Sequence, residues 1–442
     1  MLLQTLRLPR RMNILKWKQT GKRTDCKSVP LSDSLKHLNN KRPKRSGIGP
    51  TLQEYEREYM IEEKFMRRAV ELAKGGIGAV DPNPLVGAVI VKDNKIIGEG
   101  YHERYGGLHA ERNALASVAG TDLCEATAHF QNLRDILSGA DMYVTLEPCA
   151  HHGKTPPCTE AIIESGISRV IIGSRDPNPL VAGKGVQQLE AAGIEVIQDF
   201  CRKECDALNK KFFHFITTGK PYVLMKYAMT ADGKIATKTG ASKWISCEKS
   251  REYVHELRNE YPAILAGIGT VLADDPMLTA RIPGARNPMR VITDSSLRIP
   301  AGCNILKTAA DIPTVIISAM TDKEFGSSEK KAMIENMGAE VINLPGEDGH
   351  VDLKKVVNFL GERKISGLLI EGGGGVNYSA LKAGIVNEVN VFVAPKIFGG
   401  AAKTPVGGEG VELPDEAVGL ILISSELMGE DVLLKYKTGS NT

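Results

Sequence analysis

The chain has 442 residues, 42% of them apolar and 25% charged, which is the composition of a globular protein too long for one ordinary domain of roughly 100 to 200 residues. Its longest nearly apolar run, Ala263 to Ala273, is broken by glycines and falls short of the ~18 residues of a membrane span, while eight cysteines are too few for a disulfide framework and suit the reducing cytoplasm. Residues 1–50 hold thirteen Lys and Arg against Asp25 and Asp33, a net of +11 that leaves the remainder at −8 within a total of +3, so the acidic body offers no nucleic-acid footprint.

Residues 1–58 read as a disordered basic extension, with Lys, Arg, Pro and Gly mixed over Asn39 to Pro50. An acid-poor, Arg-bearing start also fits an organelle transit peptide, or a basic arm that touches RNA or membrane. Met60 is an alternative start just ahead of the first helix, in which Met66, Ala69, Val70 and Ala73 recur at helical spacing before Gly75-Gly76. Val86 to Val91 and Ile96-Ile97 flank the turn Asp93-Asn94-Lys95, a hairpin pattern. Helix is then expected over Ala110 to Val118, strand over Met142 to Leu146, helix over Thr159 to Ser165 and strand over Arg169 to Gly173, with Thr121 to Gly139 a peripheral insertion. Gly183 to Ile197 repeats helix then strand, and Cys201 to Phe213 reads as one helix leading to a boundary near Thr217 to Pro221.

The chemically loudest motif of this first unit is His109-Ala110-Glu111, followed by Pro148-Cys149 and Cys158. One imidazole and two thiolates form a tripod that holds zinc and leaves a fourth position for water, which zinc activates near neutral pH. Glu111 is placed to carry that water's proton to a leaving amine. His109 and Cys158 each open an expected helix, whose positive end favours thiolate and hydroxide. Zinc nucleobase deaminases carry this signature, although here the cysteines are spaced Cys-x8-Cys and not Cys-x2-Cys. A purely structural zinc site is the competing reading, with His151 or His152 as fourth ligand. Cys201 and Cys205, spaced i, i+4, could pair as ligands or simply share a helix face. Cys26, Cys124, Cys247 and Cys303 have no partner in sequence.

The string TLEPCAHHGKTPPC, with DPNPLVGAVIV before it and RDPNPLVAGKG after it, resembles the deaminase half of the bifunctional deaminase-reductase of riboflavin biosynthesis. The resemblance implies a cytidine-deaminase-like three-layer α/β/α domain over residues 59–218, with Asn83, His102, His151 and Lys154 lining its pocket. By charge, Lys154 is also the natural partner of an anionic substrate.

A second alternating unit starts at Tyr222, with strands expected over Tyr222 to Lys226, Ala263 to Ala266, Arg290 to Thr293, Thr314 to Ser318, Leu368 to Glu371 and Glu388 to Ala394, so both units are α/β by pattern. Glu371 is followed by Gly372-Gly373-Gly374-Gly375 and a helix from Val376. Glycines between strand and helix let backbone N–H groups approach a pyrophosphate, although such turns also serve tight packing, and the run is not the Gly-x-Gly-x-x-Gly of a Rossmann domain.

Three stretches, Lys226 to Ala236, Ser242 to Ser246 and Gly269 to Pro276, resemble the reductase half of the same family, which has a dihydrofolate-reductase-like α/β fold and here spans residues 219–442. The resemblance implies that Ala228, Trp244, Thr270, Asp274, Ser295, Gly373, Gly374 and Gly375 contact NADPH. It places Ser242, Arg258, Leu278, Arg281 and Glu371 around the substrate and Lys226 near the reacting sugar. The arginines suit a ribose 5-phosphate, which needs bidentate cationic donors. The expected function is zinc-dependent deamination of 2,5-diamino-6-ribosylamino-4(3H)-pyrimidinone 5′-phosphate followed by NADPH reduction of the ribosyl group to ribityl. That implies a small-molecule phosphoribosyl pyrimidine substrate, no nucleic acid or membrane, and a homo-oligomer. Two alternatives are an RNA or nucleotide deaminase with a C-terminal nucleotide-binding module, and a C-terminal unit that senses nucleotide without turning it over.

Overall fold

The structure, a computed structural model, describes residues 61–120, 130–151, 156–178 and 182–439; the expected basic extension lies outside them. Helix α1 (Glu63–Ala73) turns Phe65, Met66, Ala69 and Ala73 inward at the three-to-four spacing that the sequence shows. Strands β1 (Gly87–Lys92) and β2 (Lys95–Tyr101) form the hairpin, but its turn is one residue shorter than expected. Only Asp93 and Asn94 lie in it, at φ 50° and 59°, the left-handed pair that matches strand twist, and Lys95 already pairs with Lys92.

There follow α2 (Ala110–Ala119), α3 (Phe130–Leu137), β3 (Asp141–Leu146), α4 (Cys158–Ser165), β4 (Arg169–Ser174), α5 (Lys184–Ala191) and β5 (Glu195–Ile197). The sheet order is β2-β1-β3-β4-β5, with β1 antiparallel to both neighbours and β3, β4 and β5 parallel. Alternation splits its side chains. Ala88, Ile90, Met142, Val144, Val170 and Ile172 pack against α2, α4 and α5, whereas Val89, Val91, Tyr143 and Ile171 meet α1 and Cys205 on the other face. The result is the three-layer α/β/α arrangement that was expected.

Two expectations in this half need correction. Residues 121–129 lie outside the described residues, but α3 is no peripheral insertion: Leu133 and Leu137 are buried in the main core. Cys201 to Phe213 is two helices, α6 (Arg202–Leu208) and α7 (Lys210–Thr218). Asn209 separates them because its side chain is committed elsewhere, accepting from Leu85 N and donating to Leu85 O, both at 2.8 Å.

The second half contains β6 (Tyr222–Thr230), α8 (Glu248–Glu260), β7 (Ala263–Gly267), α9 (Ile268–Asp274), β8 (Met289–Thr293), β9 (Thr314–Ser318), α10 (Glu329–Asn336) and β10 (Glu340–Asn343). It continues with α11 (Leu353–Glu362), β11 (Gly367–Ile370), α12 (Gly374–Lys382), β12 (Glu388–Ala394), β13 (Leu420–Met428) and β14 (Asp431–Thr438). The sheet runs β10-β9-β8-β7-β11-β6-β12-β14-β13, parallel as far as β12 and antiparallel through the closing hairpin. Strands β10, β13 and β14 are absent from the sequence reading, and α12 begins two residues before Val376.

Strand β6 alternates like the others. Val223 and Met225 point to the layer formed by Leu353, Val356, Val357 and Leu360 of α11, while Leu224 points to the opposite layer with Leu257 of α8. Lys226 shares the Leu224 side and meets Glu371, next along from β11, and the Phe392 ring of β12. A strand whose inner residues serve the core thus delivers a cation to a site on its other face.

Candidate active sites

In the first half, β3 delivers Cys149 just beyond its end, while α2 and α4 bring His109 as N-cap and Cys158 as first residue. His109 Nδ1 lies 3.5 Å from Cys149 Sγ and 3.4 Å from Cys158 Sγ, and the three ligand atoms all lie within 4.8 Å of one another. A tetrahedral zinc, with Zn–S near 2.3 Å and Zn–N near 2.0 Å, holds its nitrogen and sulfur ligands about 3.5 Å apart. The donor set therefore fits zinc in both chemistry and spacing. The hydrogen bond from the Cys158 thiol, aided by His109 and opposed by burial, holds the Cys149 thiol well below its usual range, which favours the thiolate a metal needs.

Glu111 lies in the first turn of α2 and is buried; burial, and then the Cys149 charge, push its carboxyl above the usual range. His102 stands edge-on to His109 with ring centroids 5.3 Å apart. Its Nδ1 donates to Leu108 O at 2.9 Å, which leaves Nε2 to accept from Asn83 Nδ2 at 3.1 Å. Asn83 and His102 are thus brought together beside the tripod. His151 is exposed on its loop, and Lys154 lies outside the described residues.

In the second half, Glu371 closes the β11 end of the site. Arg258 of α8 grips it with two hydrogen bonds of 2.7 and 3.0 Å, and Lys226 Nζ lies 3.6 Å away. Burial would raise the Glu371 carboxyl, but Arg258 and Lys226 outweigh it and hold it at about 2. Thr279 joins this group to Arg281: its carbonyl accepts from Arg258 Nη1 at 3.1 Å and its hydroxyl from Arg281 Nη1 at 3.4 Å. Lys226, Arg258 and Arg281 against Glu371 leave cationic surplus, which suits an anion. Leu278, by contrast, is buried in the core and shapes the loop at φ 53°.

A cleft of about 950 Å³ receives Ser242, Thr270, Asp274, Ser295 and the glycine turn. Ser242 Oγ donates to Asp274 Oδ1 at 3.2 Å. The glycines divide by role. A Cβ at Gly374 would come 2.8 Å from Thr404 O and one at Gly372 2.8 Å from Val376, so these two serve packing; Gly375 meets nothing within 4 Å and opens on the cleft. The N-terminus of α12, with Gly373 as N-cap, therefore faces open space, as a nucleotide phosphate requires. Ala228 and Trp244 do not line this cleft. Ala228 packs beside Phe392 and Leu433, and Trp244, 64% exposed, stacks under Arg251 at 4.6 Å in a separate shallow depression.

Residues 60–174 match the cytidine and deoxycytidylate deaminase zinc-binding region, and residues 221–434 match the RibD C-terminal domain. The riboflavin biosynthesis protein RibD of Actinobacillus pleuropneumoniae is 51% identical over 378 residues, which cover 85% of this chain and 95% of that protein. The chain belongs to the RibD family. Among solved RibD structures, the diaminohydroxyphosphoribosylaminopyrimidine deaminase/5-amino-6-(5-phosphoribosylamino)uracil reductase of Thermotoga maritima is 38% identical, covers 85% of this chain and 98% of its own, and superposes with a TM-score of 0.72. RibD of Acinetobacter baumannii is 33% identical, covers 87% of this chain and 99% of its own, and has a TM-score of 0.71.

Several residues that shape these RibD sites escape sequence reasoning. Buried Glu147 accepts backbone N–H groups of Gly183, Gly185 and Val186 at 3.1 to 3.4 Å, so the helix α5 N-terminus fixes the strand end that presents Cys149. Arg112 Nη2 donates to Pro157 O at 3.0 Å and steadies the approach to Cys158. Glu147 sits inside the quoted string, two residues before a ligand, but nothing local announces a partner 36 residues on. Arg298, Lys382 and Lys403 line the reductase cleft without belonging to any motif.

Proposed function

We propose that this RibD chain carries out two consecutive steps on one phosphoribosyl pyrimidine, using the residues assembled above. The first is hydrolytic deamination of 2,5-diamino-6-ribosylamino-4(3H)-pyrimidinone 5′-phosphate; the second reduces the ribosyl group to ribityl. The observation that carries the reading is the tripod of His109, Cys149 and Cys158 with Glu111 buried beside it, in one chain with a separate cationic cluster and a glycine-lined cleft. Bound zinc supplies Lewis acidity that makes water nucleophilic near neutral pH, and bound NADPH supplies the hydride.

His109, Cys149 and Cys158 hold the metal. Glu111 takes the proton of the attacking water and passes it to the departing amino nitrogen, so a C–O bond replaces a C–N bond and ammonia leaves. Asn83 and His102, with His151 and Lys154, orient the pyrimidine and its phosphate. In the reductase half, C1′ of the ring-opened ribosyl group accepts the hydride beside Lys226 while its nitrogen takes up a proton from solvent; Arg258, Arg281 and Ser242 face the substrate, Leu278 supports their loop from the core, and Glu371 orders the cations. Thr270, Asp274, Ser295, Gly373, Gly374 and Gly375 form the NADPH cleft.

The reading divides the chain into 59–218 and 219–442; the end of α7 at Thr218 and the left-handed Gly219 before β6 support that boundary. No helix among the described residues is long and apolar enough to cross a membrane, which fits a cytoplasmic enzyme, or an organellar one if the basic start is a transit peptide. The acidic body suits a partner list without nucleic acid. The apolar edge strand β13 fits a homo-oligomer. Replacing Glu111 with Gln is expected to abolish ammonia release while sparing NADPH oxidation on the deaminated intermediate. Loss of both activities in a folded, zinc-loaded protein would contradict the two-site division.

A further inference from the structure

The loop from residue 77 to 86, between α1 and β1, presents Asn83 to His102, yet much of what holds this loop comes from the reductase half. Gly78, at φ 80°, lies so close to α8 that a Cβ there would come 2.5 Å from Asn259 Oδ1. Ser366, 2% exposed, donates its hydroxyl to Asp81. The Ser366 carbonyl accepts from Tyr222 N at 2.8 Å, so that hydroxyl is fixed where β11 and β6 begin to pair. Asn83 N donates to Val80 O at 2.9 Å, closing a turn with Asp81 inside it. A shift of Asp81 must therefore move Asn83, two residues along the same turn.

The far side of the loop is tied separately, where Leu85 pairs with Asn209 at the joint between α6 and α7. Asn83 thus sits between an anchor in the connecting helices and an anchor in the reductase sheet. Asp81 is mostly buried, so without the Ser366 hydroxyl its carboxylate would lose a hydrogen bond that water cannot readily replace. Turning outward to recover solvent would pull the Val80–Asn83 turn with it.

We infer that Ser366, in the reductase half, is a positioning residue for deamination: by anchoring Asp81 it fixes the turn that presents Asn83 to the zinc pocket. The inference rests on the reading that Asn83 lines that pocket. A misplacement of about 1 Å can cost about a hundredfold in rate, and it acts on the attack geometry more than on ground-state binding.

The test uses full-length, zinc-loaded protein, with ammonia release and NADPH oxidation on the deaminated intermediate measured separately. Ser366→Ala is expected to lower the deamination kcat by about tenfold to a hundredfold, with KM within about threefold, zinc content unchanged and reduction within about twofold. Ser366→Thr keeps the hydroxyl and should restore the rate. Asp81→Ala should reproduce the defect, while Asp81→Asn, which can still accept, should not; this pair decides the matter if S366A does not fold. Wild-type deamination in S366A or D81A, or parallel loss of zinc and both activities, would overturn the inference. Asn83→Ala separates the two layers: normal deamination in N83A removes Asn83 from the pocket and the inference with it, whereas a crippled N83A beside a normal S366A overturns the positioning role alone.

Discussion

Glu371 lies beside Arg258 and Lys226, yet accepts hydrogen bonds within 3.0 Å from Arg258 alone. Its carboxyl, held at about 2 against an ordinary 4.5, binds a proton less readily folded than unfolded. The stabilisation is therefore complete above about pH 5 and is lost as pH falls toward 2. Glu371→Gln is expected to cost about 3 kcal/mol at neutral pH and to flatten that acid limb, measured by denaturant unfolding across pH; an unchanged limb would mean that Glu371 does not carry it. Legibility differs sharply among the site residues. The zinc tripod can be read from His-x-Glu and two cysteines, because each ligand falls at a strand end or helix start that local pattern also marks. Asn83 and His102 come only from the family resemblance, and their mutual hydrogen bond appears only in three dimensions. Arg298, Lys382 and Lys403 converge from segments about 84 and 21 residues apart along the chain, and no local pattern announces them.

At the scale of elements, the glycine run after β11 combines two readings that the sequence leaves open. Packing claims Gly372 and Gly374, while Gly375 alone meets nothing within 4 Å. Gly374→Ala should overpack the contact with Thr404 and cost about 2 kcal/mol, seen as a lower Tm. Gly375→Ala should leave stability equal or slightly higher, because alanine favours helix, but raise the KM for NADPH without touching deamination. An unaltered NADPH KM in G375A would move the cofactor away from this helix end. The parallel strands are legible because buried apolar runs between loops have few other readings. Strand β10 is missed because four residues carry too little pattern. Strand β13 is missed for a different reason: Leu420 to Ile423 is apolar without alternation, and all four residues are exposed.

Across the whole molecule, the order of the halves is legible because each carries its own string of family-like residues, whereas the ties between them are not. Strand β13 closes the nine-stranded sheet with an unpaired edge, and Ile421 and Leu427 are 61% and 78% exposed on it. A lone soluble chain seldom leaves such an edge bare. Ile421→Lys combined with Ile423→Lys should therefore dissociate the oligomer in sedimentation while the fold survives; a wild-type that already sediments as a monomer would end that proposal. Strand β6 carries a constraint of another kind. Because Met225 serves the α11 layer and Lys226 the opposite side beside Glu371, gain of one residue upstream within the strand would exchange them, burying an ammonium among the α11 side chains and turning a thioether toward Glu371. A step of two residues would keep the facing but slide Lys226 by about 6.6 Å along the strand, away from the Glu371 carboxylate that now lies 3.6 Å from it. Upstream of Lys226, β6 is therefore held in length as well as in parity.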